Sequence, residues 1–232
     1  MVGGKVERSM VIRMKDIEAL QTIEKYGIVA IVRGTEINQM KRIAAALYEG
    51  GVRVIEVTFN TEKAESLLKE LTDEFSDRML IGAGTILDSE SARTAILAGA
   101  KFILSPSLNP EVLKICQRYS ILAVPGVMTP TEAVQAWELG ARMIKIFPAV
   151  NLGPSYVKQI LGPLNQLNIM VVGGINENNL GAFLENGASC AGIGGDLVNK
   201  QEIEEGKYEE LVQKAVRFQS IFENKKMNGG KE

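Results

Sequence analysis

Eight short, β-rich apolar runs, each followed by a longer amphipathic stretch, repeat along the chain without a break in composition. This alternation restricts the fold more than any other feature. The runs occupy residues 28–33, 53–59, 79–85, 102–106, 122–125, 143–147, 169–173 and 190–194. Helical patterns lie between them, for example residues 38–49 with Ile43 and Leu47 on one stripe, and residues 61–74 with Leu67, Leu68 and Leu71. Capping residues mark helix starts at Asp88, Asn109 and Thr129. Helix ends carry a recurring glycine followed by alanine or valine: Gly51-Val52, Gly99-Ala100, Gly140-Ala141 and Gly187-Ala188. This is a weak internal repeat of one βα unit.

Eight consecutive βα units predict an α/β protein built as a (β/α)8 TIM barrel, because an open doubly wound sheet usually stops at five or six strands. An extra N-terminal helix over residues 16–26 is expected to close the bottom of the barrel. Residues 1–15 read as a flexible leader, 16–222 as the single barrel domain and 223–232 as a flexible tail. With 232 residues, 46% of them apolar, the chain has enough for one substantial core.

Composition narrows the function. A net charge of −2 provides no field for a nucleic-acid backbone, so a small-molecule partner is expected. The apolar runs are far shorter than the ~20 residues that span a bilayer, and no secretory signal stands at the start, which predicts a cytoplasmic protein with no membrane partner. Cys116 and Cys190 form no metal-binding spacing and read as small buried hydrophobes. The chain has no histidine, which removes Ser-His-Asp and Cys-His systems and His-containing zinc sites. No metal and no cofactor is expected, and acid/base work falls to Glu, Asp, Lys, Tyr or water.

In a barrel, chemistry sits at the C-terminal ends of the strands, and two residues there are out of place. Lys145 interrupts the apolar run Met143-Ile144-Lys145-Ile146-Phe147-Pro148. Alternation puts it on the face of Met143 and Phe147, pointing into the barrel. Desolvation disfavours the ammonium, and the neutral amine is the form that attacks a carbonyl carbon. Glu56, in Val54-Ile55-Glu56-Val57-Thr58, points inward by the same argument. Beside an imine-forming lysine, a partly desolvated carboxyl supplies the proton shuttle. A structural Glu56–Lys145 ion pair, or a snorkelling lysine, explains the pattern without chemistry. Around these two lie Gly82-Ala83-Gly84-Thr85 and Ser105-Pro106, with Thr85 able to donate to a carboxylate. Gly173-Gly174 and Gly194-Gly195-Asp196 end the last two strands, where barrels commonly hold phosphate on backbone N–H groups.

Taken together, these motifs resemble the family of 2-keto-3-deoxy-6-phosphogluconate (KDPG) and 4-hydroxy-2-oxoglutarate (KHG) aldolases. The resemblance runs from about Ile17 to Phe222 and includes Pro125-Gly126-Val127-Met128-Thr129-Pro130-Thr131-Glu132 and Lys145-Ile146-Phe147-Pro148-Ala149. It implies metal-free cleavage of a 2-keto-4-hydroxy acid to pyruvate and an aldehyde through an imine on Lys145, with Glu56 as acid/base. It further implies that Thr85 contacts the pyruvyl carboxylate, that Pro106 and Phe147 are apolar neighbours of the imine, that Gly173 and Gly174 cradle phosphate, and that the protein is a homotrimer.

Three positions depart from the family pattern: Asn60 where arginine is usual, Val172 for threonine and Asp196 for serine. Asn60 removes a fixed positive charge, and Asp196 sets a carboxylate where a phosphate is expected. Like charges 4 Å apart repel by ~1 kcal/mol in water and ~4 kcal/mol at a surface-like dielectric. The expectation is therefore an unphosphorylated or differently substituted substrate, unless Asp196 only caps the turn that follows. A phosphosugar isomerase or epimerase using Glu56 as base, and a non-catalytic ligand-binding barrel, stay open as alternatives.

Overall fold

A computed structural model of the chain describes residues 3–229, with side chains for residues 15–227. A first helix α1 (Gly3–Tyr26) leads into β1 (Ile28–Val32), α2 (Ile37–Glu49), β2 (Val54–Thr58), α3 (Ala64–Phe75), β3 (Leu80–Gly84), α4 (Ser89–Leu97), β4 (Phe102–Leu104) and α5 (Pro110–Arg118). Then come β5 (Leu122–Val124), β6 (Gly126–Val127), α6 (Pro130–Glu138), β7 (Ile144–Ile146), α7 (Ala149–Leu152), α8 (Pro154–Leu161), β8 (Ile169–Val172), α9 (Leu180–Glu185), β9 (Cys190–Ile193), α10 (Lys200–Glu204) and α11 (Tyr208–Gly229).

All strand pairs are parallel, in the order β5-β4-β3-β2-β1-β9-β8-β7-β6. The ends of that order, β5 and β6, are consecutive in the chain and separated only by Pro125. Proline has no N–H to give to the ladder, so the strand is interrupted there. The neighbouring bonds continue across the gap: Lys145 N–H donates to the Pro125 carbonyl at 2.8 Å, and Ser105 N–H to the Val124 carbonyl at 3.2 Å. With β5 and β6 read as two halves of one stave, the sheet closes into an eight-stave barrel, as the eight apolar runs predict.

The repeated αβ turn has a uniform geometry. Gly51, Gly99, Gly140 and Gly187 all have φ between 86° and 104°. The residue after each donates its N–H back five positions, Val52 to Leu47, Ala100 to Ala95, Ala141 to Ala136 and Ala188 to Phe183. This is the Schellman closure, in which a left-handed residue satisfies carbonyls that the helix end leaves unpaired. The helix starts are equally regular. Asp88 accepts from Ser91 N–H at 2.6 Å, Asn109 from Glu111 N–H at 2.9 Å, and Thr129 and Glu132 form a capping box.

The terminal helices extend beyond the sequence-derived limits. Residues 5–26 contain neither glycine nor proline, so α1 starts well before residue 16 and stops at Gly27, where φ is 68°. Likewise α11 passes residue 222 and ends at Gly229.

Alternation along each strand separates two apolar cores. Ile28, Ala30, Ile55, Val57, Ile81, Ile103, Ile144, Ile146 and Val171 face outward and pack with the helices. Val29, Ile31, Val54, Phe102, Leu104, Leu122, Val124, Met143, Met170, Val172 and Cys190 fill the barrel interior, and Ala19 and Ile23 of α1 plug its bottom. Both cysteines are free and buried, and burial pushes the Cys116 thiol up to about 12. Phe102 is the largest interior side chain, and its ring lies against the bare backbone of Gly82, where any Cβ would collide with it. Phe102→Ala is expected to destabilise the protein by about 3–5 kcal/mol, the sum of lost transfer energy and an unfilled cavity. Chemical denaturation monitored by circular dichroism measures this.

Candidate active site

Lys145 sits at the middle of β7, with Ile144 and Ile146 directed outward on either side, and in register with Gly126 of β6 and Met170 of β8. It is 5% exposed, and its Nζ lies 4.9 Å from the centroid of the Phe147 ring. Gly126 lets the end of the neighbouring stave β4 come close, since a Cβ there would run into the backbone of Ser105 and Pro106. Across the barrel Glu56 stands in register with Ile31 and Gly82 and is 1% exposed. Its carboxylate lies over Gly84, where a methyl group would overlap Oε1.

The structural ion pair is not formed: no Glu56–Lys145 contact occurs within 4.0 Å, and Glu56 Oε2 is buried without a hydrogen-bond partner. Buried polar atoms without partners are rare, and each calls for an explanation such as a catalytic role. Burial pushes the Lys145 ammonium below the ordinary lysine range, a shift that Glu56 opposes and Arg33 reinforces. Burial raises the Glu56 carboxyl above the ordinary range, opposed by Lys145 and Arg33. The two shifts bring an amine toward its nucleophilic form and a carboxyl toward one that both gives and takes a proton at neutral pH.

The remaining candidate residues divide around the barrel mouth. Phe147, Gly173, Gly174, Gly194, Gly195 and Asp196 line one cleft of about 540 Å³ between the ends of β7, β8, β9 and β1. Phe147 is 37% exposed and forms the edge between this cleft and Lys145. Asn60, Thr85 and Pro106 stand on the opposite arc, at the ends of β2, β3 and β4. Asn60 is exposed in the turn after β2, whereas Thr85 and Pro106 are half-buried. Thr85 has φ of 60°, a left-handed backbone that a β-branched residue seldom adopts. Val172 faces inward and touches the same cleft.

Two charged residues of the cleft escaped the sequence reading. Arg33 follows the last residue of β1, and Lys200 opens α10. The available signal for Arg33 was its place at the end of an apolar run, where a barrel presents side chains to its mouth. Lys200 lies beyond a turn and carried no signal. Arg33 offsets the carboxylate of Asp196, whereas Lys200 lies 3.7 Å from Glu204 on its own helix. Among the described residues no group of three His, Cys, Asp or Glu side chains is placed to hold a metal ion, and no helix is long and apolar enough to cross a membrane.

Comparison with known proteins agrees with this architecture. The family model for KDPG and KHG aldolase matches residues 19–214. The 2-dehydro-3-deoxy-6-phosphogalactonate aldolase of Escherichia coli (strain K12) is 32% identical over 179 residues, 77% of this chain and 87% of that protein. The KHG/KDPG aldolase of the same organism is 32% identical over 190 residues, 81% of this chain and 88% of that one. A KDPG aldolase from Legionella pneumophila, crystallised with pyruvate captured at low pH as a covalent carbinolamine, superposes with a TM-score of 0.79 at 28% identity, covering 85% of this chain and 96% of that one. The chain belongs to the KDPG and KHG aldolase family and is a class I aldolase.

The contact between Gly84 and Glu56 yields a direct test of the geometry. Gly84 does not have positive φ, so its backbone accepts alanine, and the Glu56 side chain must move. Gly84→Ala is expected to retain the circular dichroism spectrum while kcat falls by ~100-fold, the cost of displacing a candidate catalytic carboxyl by about 1 Å.

Proposed function

We propose that the chain cleaves a 2-keto-4-hydroxy acid to pyruvate and an aldehyde, with Lys145 as the imine-forming nucleophile and Glu56 as the proton shuttle. The observation that carries this reading is that both groups are buried in the barrel interior, close enough to feel each other's charge, without pairing to each other. Nζ of Lys145 attacks the C2 carbonyl, and the carbinolamine loses water with a proton supplied by Glu56. Removal of the proton on the 4-hydroxyl then lets the C3–C4 bond break, its electron pair passing into the imine to leave an enamine. Protonation at C3 and hydrolysis release pyruvate and restore the amine. Thr85, Pro106 and Phe147 are assigned to the pyruvyl end. A base-only isomerase scheme leaves the unpaired, desolvated amine of Lys145 without a covalent role.

For the far end of the substrate, the sequence expectation of an unphosphorylated compound rested on Asn60 and Asp196 alone. Arg33 in the same cleft changes the balance, because its charge stands with the Asp196 carboxylate beside Gly173, Gly174, Gly194 and Gly195, while Lys200, 3.7 Å from Glu204 on its own helix, adds an ammonium that is already partnered. We therefore favour a substrate with an anionic distal group, a phosphorylated 2-keto-3-deoxy sugar acid. Asn60 supplies at most a neutral hydrogen bond. Assembly as a homotrimer is retained on the strength of family membership, and light scattering of the purified protein reads it directly.

Borohydride reduction in the presence of pyruvate is expected to add one pyruvyl group to the protein, located on Lys145 by peptide mass spectrometry and absent in Lys145→Ala. An unmodified chain at saturating pyruvate favours the isomerase or binding-protein reading. Comparing kcat/KM for phosphorylated and unphosphorylated 2-keto-4-hydroxy acids decides the distal group, and equal values overturn its assignment to Arg33.

A further inference from the structure

The turn after β2 carries two hydroxyl groups that the catalytic scheme does not use. Thr58, the last residue of β2, is fully buried and faces inward two residues after Glu56. Thr61, three residues on, is also buried. Their hydroxyl oxygens are 3.1 Å apart. Thr61 Oγ1 accepts the backbone N–H of Gly34 at 2.9 Å, and Thr58 Oγ1 donates to the Val32 carbonyl at 3.4 Å.

Only one proton arrangement satisfies all three contacts. Gly34 N–H gives to Thr61, whose own hydroxyl proton goes to Thr58, whose proton goes to Val32. The relay thus begins and ends on the two residues that flank Arg33. Gly34 has φ of 60°, and an added Cβ would meet nothing within 4 Å, so the hydrogen bond to Thr61 is the side-chain contact that ties down its turn. The parallel register of β1 with β2 sets Val32 beside Val57, but the ladder stops there, and Arg33 lies one residue beyond it.

We propose that Thr61 and Thr58 are positioning residues for catalysis: their hydroxyl relay clamps the peptide groups on both sides of Arg33 and so holds its guanidinium over the cleft. Thr61 acts through Arg33 and touches no reacting atom. The proposal rests on the reading of Arg33 as a ligand for the anionic substrate, not on the identity of that anion.

Arg33 also sets the charge environment of the reacting pair. The charged groups around it are Glu56 and Lys145 below, Asp196 and Lys200 across the cleft, and Glu204 of α10, which pairs with Lys200 at 3.7 Å. Its positive charge holds both the Glu56 carboxyl and the Lys145 ammonium lower than they would otherwise be. Loosening Arg33 therefore moves both ionisations upward, and the pH profile of kcat/KM shifts to the alkaline side on both limbs.

The test is a double-mutant cycle on the full-length enzyme with Thr61→Val, Thr61→Ser, Arg33→Gln and the double variant Arg33→Gln/Thr61→Val. Thr61→Val keeps shape but removes the hydroxyl. It is expected to raise KM by about three- to ten-fold, the effect of one lost hydrogen bond, with kcat within about two-fold. Its pH profile moves in the same direction as that of Arg33→Gln, and Thr61→Ser restores wild-type values. In the Arg33→Gln background, Thr61→Val has no further effect. Equal losses from Thr61→Val in both backgrounds, failure of serine to rescue, or an unshifted pH profile overturns the proposal. Borohydride trapping of each variant with pyruvate separates the two levels: loss of the Lys145 adduct in the wild-type enzyme sinks the aldolase reading itself, whereas an intact adduct with an additive cycle sinks only the relay.

Discussion

Desolvation of one amine and one carboxyl inside a closed sheet is the constraint on which the rest of the molecule depends. Each group is nearly inaccessible, and each bears an energetic cost when charged, because water is replaced by apolar side chains. A contact ion pair would relieve that cost but would also hold Lys145 protonated and occupy the Glu56 carboxylate. The barrel prevents this by placing the two on separate staves, β7 and β2, with Gly84 leaving the space that the Glu56 side chain occupies. The stability forgone at the mouth is offset below it, where Phe102, Met143, Met170 and the α1 residues Ala19 and Ile23 form a continuous apolar filling.

The fold was legible because it is periodic. Two-residue alternation, glycine-terminated helices and capped starts recur in each unit, and every one of these signals is local. Pro125 shows where local reading stops: the run over residues 122–125 was recognised as a strand, but its continuation through Gly126 and Val127 depends on hydrogen bonds to neighbouring staves. The ends of α1 and α11 lie beyond residues 16 and 222 because residues 5–26 and 208–228 contain neither glycine nor proline.

Lys145 and Glu56 stood out in the sequence because a charged residue inside an apolar strand contradicts its surroundings. Arg33 contradicts nothing: an arginine just past a strand end looks like ordinary surface chemistry. Its significance comes from the closure of the barrel, which sets the end of β1 beside the end of β9 and so joins residues more than 160 positions apart in one cleft with Asp196. The same closure sets Asp196 beside Arg33, so the carboxylate that argues against a phosphate in the sequence stands next to a cation in the fold.

The barrel mouth divides into two arcs, and the division allows one family scaffold to change substrate without changing reaction. The arc of β2 to β4 carries Glu56, Thr85 and Pro106, and its backbone is specialised, with Thr85 held in a left-handed conformation. The arc of β7, β8, β9 and β1 is mostly glycine and exposed charge, and around Gly194 and Gly195 an added methyl group would meet nothing. A substitution on the first arc must be accommodated by the buried pair. On the second, a substitution away from Arg33 leaves the surroundings of the buried pair as they are. The departures at Val172 and Asp196 fall on the second arc and the one at Asn60 in an exposed turn, so all three are compatible with unaltered chemistry at Lys145. Arg33 is the exception, since its charge reaches Glu56 and Lys145 from the recognition arc. Any change in how it is held is felt by binding and by the proton chemistry at once.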